Sequence, residues 1–294
     1  MKKAKIGGLS LLGFLLFFSF VNVSNAVPPS YVGVNIGNSF TWTASANVAN
    51  INATGINLFG EANWTLIYGM LDYMIWNMTG MHIDSFFGGA MKMDIANMTP
   101  EVPMGFPPGV NGVGLYIDGF MSIEPGVWMP MMTSAYPSLY ILDPTNINAS
   151  NFMYFLGFGM PAIVPKGLPW NNIATWYNAM LAVTPPVYNN ITMSGLTDGL
   201  EFTVLGEFME LMINMSGVPL PLIPTIPDAI GVARWNANGV FSYGSLSMGG
   251  LTLVTASLSS EEAIPGFFIP ITIGLSAIAA VGIIVIIRKK KKII

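Results

Sequence analysis

The chain has 294 residues, 52% of them hydrophobic and only 9% charged, and it contains no cysteine. Between residues 27 and 263 the only bases are Lys92, Lys166 and Arg234, set against all 15 acidic residues of the chain. That imbalance argues against nucleic acid as a partner and against docking on anionic lipid. The lack of cysteine excludes disulfide staples, thiolate metal sites and a thiol nucleophile, and a stretch this long buries a core without staples.

Lys2, Lys3 and Lys5 precede an apolar run from Leu9 to Val23, which ends on Ser24-Asn25-Ala26. A basic start, an apolar centre and small residues before position 27 predict a signal peptide over 1–26, cleaved after Ala26. Ser39 to Val48 alternates, with Phe40, Trp42, Ala44, Ala46 and Val48 on one side, and reads as a half-buried antiparallel strand. Trp64, Ile67, Leu71, Met74, Ile75 and Met78 recur at helical spacing and predict an amphipathic helix over Glu61 to Thr79. Lys92 to Ala96 and Gly112 to Ser122 are weaker strand candidates. Pro125 to Pro169 is dense in Pro, Gly and Asn and reads as loops with short strands. Asn172 is placed to cap a second helix, with Ile173, Trp176, Tyr177, Met180 and Leu181 inward. Ile230 to Trp235, Val240 to Ser247 and Leu251 to Leu258 are separated by Asn236-Ala237-Asn238-Gly239 and Met248-Gly249-Gly250, turn residues that predict a β-meander.

Phe267 to Ile287 carries no charge and matches the roughly 30 Å hydrocarbon core of a bilayer, so 264–287 reads as a transmembrane helix. Arg288 and Lys289 to Lys292 stop it and mark 288–294 as a cytoplasmic tail, which places residues 27–263 outside as a β-rich ectodomain. Cleaved or not, the N-terminal segment leaves that orientation unchanged. Pro265-Gly266-Phe267, then an apolar helix, then a basic cluster, resembles the C-terminal sorting tails of archaeal surface proteins. The resemblance covers about thirty residues and implies a membrane-held surface protein whose tail is a substrate for exchange with a lipid; Phe268, Pro270 and the Ile-rich helix depart from the pattern and favour retention of the helix.

These elements imply an α+β fold: a curved antiparallel sheet, half-barrel-like, with the meander at its C-terminal end and helices packed on one face, plus one C-terminal transmembrane helix. As a shape, this resembles the half-barrel of bacterial lipoprotein carriers. A faint internal match pairs Gly33 to Gly55 with Gly195 to Gly217, including Phe40 with Phe202 and Thr41 with Thr203. Its flanks do not extend it, so 27–263 is taken as one domain.

The strongest chemical signal outside the tail is the Asn-x-Ser/Thr sequon. It occurs at Asn52, Asn63, Asn77, Asn97, Asn148, Asn190 and Asn214. Composition alone would place roughly three, and Pro100 makes Asn97 the poorest acceptor. The other constellations are weaker. Met91, Met93, Met129, Met131 and Met132 invite a thioether copper reading, but the single histidine, His82, gives little support, and methionine ordinarily fills core gaps. Asp72, Asp84, Asp94, Glu101, Asp118 and Glu124 show no spacing that links a catalytic pair. Asp143, Asn146 and Asn148 lack the glycine and terminal glutamate of a calcium loop. No Gly-x-Ser-x-Gly elbow supports a serine nucleophile. The expectation is therefore a non-enzymatic, membrane-anchored envelope protein without cofactor or metal, used for adhesion, envelope structure or interaction with a surface partner. Its alternative is a tethered binding protein for a lipid or other apolar ligand held between sheet and helices, motivated by the abundance of Met, Phe and Trp.

Overall fold

The structure, a computed structural model, describes residues 27–79, 82, 89–105, 109–124, 127–156, 161–183, 190–207, 210 and 226–259. The signal segment 1–26, the helix 264–287, the tail 288–294, the tripeptide Pro265, Gly266, Phe267 and the acceptor Asn214 lie outside these residues. Among the described residues no helix is long and apolar enough to cross a membrane.

The architecture is α+β, built on one eleven-stranded antiparallel open sheet. The strands are β1 (Ser39–Ala46), β2 (Ala90–Met98), β3 (Val102–Pro103), β4 (Asn111–Glu124), β5 (Val127–Met132), β6 (Leu139–Leu142), β7 (Ile191–Gly195), β8 (Gly199–Val204), β9 (Ala229–Trp235), β10 (Phe241–Met248) and β11 (Leu251–Leu258). Their order is β3-β4-β2-β1-β11-β10-β9-β8-β7, with β5 and β6 also paired to β4. The helices are α1 (Val48–Phe59), α2 (Glu61–Thr79), α3 (Phe152–Leu156) and α4 (Trp170–Ala182).

The expected meander is present: β9, β10 and β11 pair in sequence, and β11 lies between β10 and β1 near the middle of the sheet. Connections of five residues and of two leave antiparallel neighbours as the only short closure, and Gly239, Gly249 and Gly250 supply the positive φ those turns need. Trp235, Phe241 and Leu246 are buried as expected. Leu251 and Leu253 are only half-buried, because a bulge between Leu246 and Ser247 shifts the register at that end of the pair.

Alternation in β1 buries Trp42 and Ala44. The strand stops at Ala46, before Val48, because Asn47 accepts a hydrogen bond from the Asn50 N–H and starts α1. α1 was not expected; it packs on β11, with Leu58 set among Phe202, Val204, Ile226 and Met248. α2 has the bounds the periodicity predicts, but its partner is α1, and Trp64, Ile67 and Leu71 of its stripe are half-buried; the side chains of Met74, Ile75 and Met78 are outside the described set. α4 begins at Trp170 after Pro169, so Asn172 sits exposed within its first turn and is not its cap. Proline's fixed φ and missing N–H suit a helix start without a side-chain cap. α4 covers β7 and β8, burying Ile173 and Leu181.

The faint internal match does not keep element bounds: Val204, where β8 ends, aligns with Trp42 in the middle of β1, and Gly195 in β7 aligns with Gly33 outside any strand. Phe40 in β1 and Phe202 in β8 both pack inward, and each strand leads into helical backbone, α1 after β1 and residues 206–207 after β8. The flanking strands then return antiparallel beside them, β2 beside β1 and β9 beside β8.

Register divides the molecule into two poles. β1 and β11 pair with Thr43 opposite Ser257 and Ala46 opposite Val254, so Ser259 emerges beside Thr41, whose carbonyl accepts its N–H at 2.8 Å. At the same pole the N-terminal segment 27–38 is tied down: the Gly37 N–H donates to the Ile95 carbonyl, and the Lys166 N–H donates to the Tyr31 carbonyl, each at 2.8 Å. α1, α2, the Met248–Leu251 turn and the 204–206 and 226–229 segments lie at the opposite pole, about 25 Å away along an eight-residue strand.

Candidate functional site

The chain-end pole holds a groove of ≈ 490 Å³ lined by Val27, Pro28, Pro29, Ser30, Val32, Gly33, Asn35, Asn38, Phe40, Lys166 and Asn238. Three separate stretches build it. Pro28-Pro29 opens a turn in which the Val32 N–H donates to the Pro29 carbonyl at 2.9 Å. Gly33 then passes so close to the backbone of Asn238 that a Cβ there would collide with that carbonyl. The Asn236 side chain fixes the facing turn by accepting from the N–H groups of Asn238 (2.9 Å) and Val240 (3.0 Å). Lys166 arrives on a segment clamped to the same turn, where the Val164 N–H donates to the Gly239 carbonyl and the Phe241 N–H to the Ala162 carbonyl, both at 2.8 Å.

Aromatic side chains flank the turn that carries Asn238. Trp42 is fully buried, and its Nε1–H donates to the Phe241 carbonyl at 2.7 Å. Trp235 stacks on Trp170 with ring centroids 4.8 Å apart, meets Phe241 edge-on, and donates its Nε1–H to the Pro161 carbonyl. Aromatic pairs of this kind contribute about 0.5–1.5 kcal/mol each beyond area burial.

Electrostatics single out one side chain. Lys92 pairs with Asp94 at 2.8 Å, Arg234 with Asp198 at 2.6 Å and His82 with Asp72 at 2.8 Å. Lys166 has no carboxylate partner among the described residues, and its half-buried side chain lines the groove. Nearby, the Tyr31 hydroxyl donates to Glu101 Oε1 at 3.0 Å. Burial raises the phenol's pKa well above its ordinary value, and the hydrogen bond to Glu101 and the negative charges of Glu101 and Asp143 push the same way.

Among the described residues, the acids weighed from the sequence are engaged in local contacts. Among the described residues no group of three or more His, Cys, Asp or Glu side chains is placed to hold a metal. Asp94 and Asp118 face each other across β2 and β4, but Asp94 Oδ2 takes Lys92 and Asp118 Oδ1 accepts from the Ser134 N–H. Asp143 accepts from the Thr145 N–H, and Asn148 Oδ1 from the N–H and hydroxyl of Ser150, so these oxygens close local turns. Asp84 and the Glu124 side chain lie outside the described set. Met129, Met131 and Met132 are exposed on the edge strand β5, while Met91 and Met93 pack on the core.

None of the six described sequon asparagines is fully buried. Asn63, Asn77, Asn97 and Asn148 are exposed, and Asn52 and Asn190 are half-buried. Asn52 Oδ1 accepts from Trp64 Nε1–H at 3.0 Å. Asn52, Asn63 and Asn190 stand at the helical pole. α2 turns Leu66 (57% exposed), Tyr73 (64%) and Trp76 (47%) outward.

The groove escaped sequence reading because its walls come from residues 27–40, 166 and 238. The available hints were Pro28-Pro29 and the isolation of Lys166 in an acidic chain. Fold and site together define an α+β protein with an open antiparallel sheet and a polar groove at the pole that holds Val27 and Ser259. No protein-family model, curated protein or solved structure matches the chain.

Proposed function

We propose that the chain is a non-enzymatic, membrane-anchored cell-surface protein whose acidic ectodomain (27–263) carries N-glycans and serves adhesion, envelope structure or interaction. In this reading 1–26 is removed as a signal peptide, 264–287 spans the membrane, 288–294 is cytoplasmic, and Pro265-Gly266-Phe267 belongs to an archaeal-type sorting tail. The finer shape, a curved half-barrel standing on one transmembrane helix, belongs to the same proposal.

One observation carries it. Val27 and Ser259, which border the two apolar segments, lie at one pole, whereas three of the six described sequons, Asn52, Asn63 and Asn190, lie at the other. Only four residues, 260–263, separate Ser259 from the proposed span, a reach of about 14 Å at most. The sheet would therefore stand close to the bilayer on its chain-end pole and present the glycan-bearing helices outward. The alternative, an apolar ligand between sheet and helices, draws on the methionines. Met91, Met93, Met121, Met153 and Met180 pack against the core cluster, which favours the surface reading.

Truncation after Ala263 tests the anchor: the shortened protein is expected in the medium, and its retention in membranes would refute a single C-terminal anchor. Glycopeptide mass spectrometry tests the coat. Occupancy is expected at Asn63, Asn77 and Asn148, lower at half-buried Asn52, and lowest at Asn97. Uniformly bare sites would remove the glycoprotein reading.

A further inference from the structure

We infer that the groove at the chain-end pole is a binding site for a phosphate ester of a polyol, completed only when the signal peptide is removed. The inference rests on the processing proposed above. Lys166 is the described region's one basic residue without a carboxylate partner, and it lines the groove. Val27 is 90% exposed and lines the groove too. Cleavage after Ala26 turns the Val27 nitrogen into an α-ammonium group, largely protonated at neutral pH. Two cations then share one groove in a region otherwise dominated by acids. Such a local positive site selects an anion that the surrounding field repels from the rest of the surface.

The remaining lining sets the ligand class. The side-chain amides of Asn35, Asn38 and Asn238 and the Ser30 hydroxyl are donors and acceptors suited to hydroxyl groups. Asn38 Oδ1 is used by the Asn35 N–H at 2.7 Å, which leaves the Asn38 amide hydrogens for a ligand. Phe40 offers an apolar contact, and the pocket's ≈ 490 Å³ suits a group larger than bare phosphate. Phosphoglycerol and sugar phosphates have this chemistry. Such a group is supplied by a lipid headgroup at the bilayer surface or by a soluble metabolite.

The test uses the full-length mature protein in a non-ionic detergent, its N-terminus established first by sequencing. A start other than Val27 defeats the processing reading and removes the second cation. With Val27 confirmed, glycerol phosphate is titrated and followed by calorimetry. Saturable binding is expected, weakened at least tenfold by Lys166→Met, largely kept by Lys166→Arg, and weakened by selective acetylation of the α-amino group. Glycerol without phosphate should not bind. Vesicle reconstitution then separates the sources. Protection of the Val27 amine from acetylation in phosphatidylglycerol but not phosphatidylcholine vesicles assigns the headgroup; protection only on adding soluble glycerol phosphate assigns the metabolite. Absence of binding to a correctly processed protein, or binding indifferent to Lys166→Met, overturns the site and leaves the surface-protein reading standing.

Discussion

The two poles of the sheet are stabilised in different ways. At the chain-end pole, loops from three stretches are locked by main-chain hydrogen bonds and by the buried Trp42, Trp170, Trp235 and Phe241. At the helical pole, α2 leans on α1, and its outward side carries Leu66, Tyr73 and Trp76. The first arrangement fixes geometry to within a side chain, as a binding groove requires. The second leaves apolar area uncovered, which suits contact with a partner and tolerates change. Substitutions should therefore be costly and global at one pole and mild or local at the other.

The largest effect is expected from Trp235→Ala, which removes a stacked pair, an edge contact and a hydrogen bond at once. A loss of about 3–5 kcal/mol is predicted, read as a fall in the denaturant midpoint. A loss below about 1 kcal/mol would mean the aromatic side chains do not hold the pole together. Gly239→Ala comes next. Gly239 has φ +72°, and a Cβ there would run into the Val164 carbonyl, so about 1–3 kcal/mol should be lost together with the groove. Gly55→Ala is its counterpart at the helical pole, where the new methyl would meet the Trp64 ring. Here hydrogen exchange should quicken in α1 and α2 while β9 to β11 stay protected; equal loss of protection in both would erase the contrast between poles.

Alkaline pH sharpens it further. The neutral Tyr31 phenol is favoured in the fold, so its contribution is fully present below about pH 10, the unfolded value, and is lost as pH rises toward the raised folded value. Stability should drop above pH 10 in the wild type and drop less in Tyr31→Phe. The smallest effect belongs to Tyr73→Ser on the exposed side of α2, expected within about 0.5 kcal/mol of wild type.

Local pattern revealed what local forces decide. The meander was legible because its turns hold Gly at the φ > 0 positions, and α2 because its apolar residues keep helical spacing. α1 was not legible: Asn50, Asn52, Thr54 and Gly55 are poor helix formers. Tertiary contact overrides that preference, since Leu58 is buried against the sheet and Gly55 lets the Trp64 ring approach closely. Asn172 misled because a capping side chain and an exposed first-turn side chain look alike in sequence, and Pro169 decided the helix start. The groove depends on contacts between Gly33 and Asn238 and between Tyr31 and Lys166, separations that no local pattern encodes.

The central claim is that the molecule stands on its chain-end pole. With no native cysteine, single labels are straightforward: Ala237→Cys at that pole and Ala62→Cys on α2, both exposed positions, each carrying a fluorophore on full-length protein in vesicles. Quenching by a headgroup-attached quencher should be strong at position 237 and near background at position 62. Equal quenching at the two positions, or stronger quenching at 62, would contradict the account.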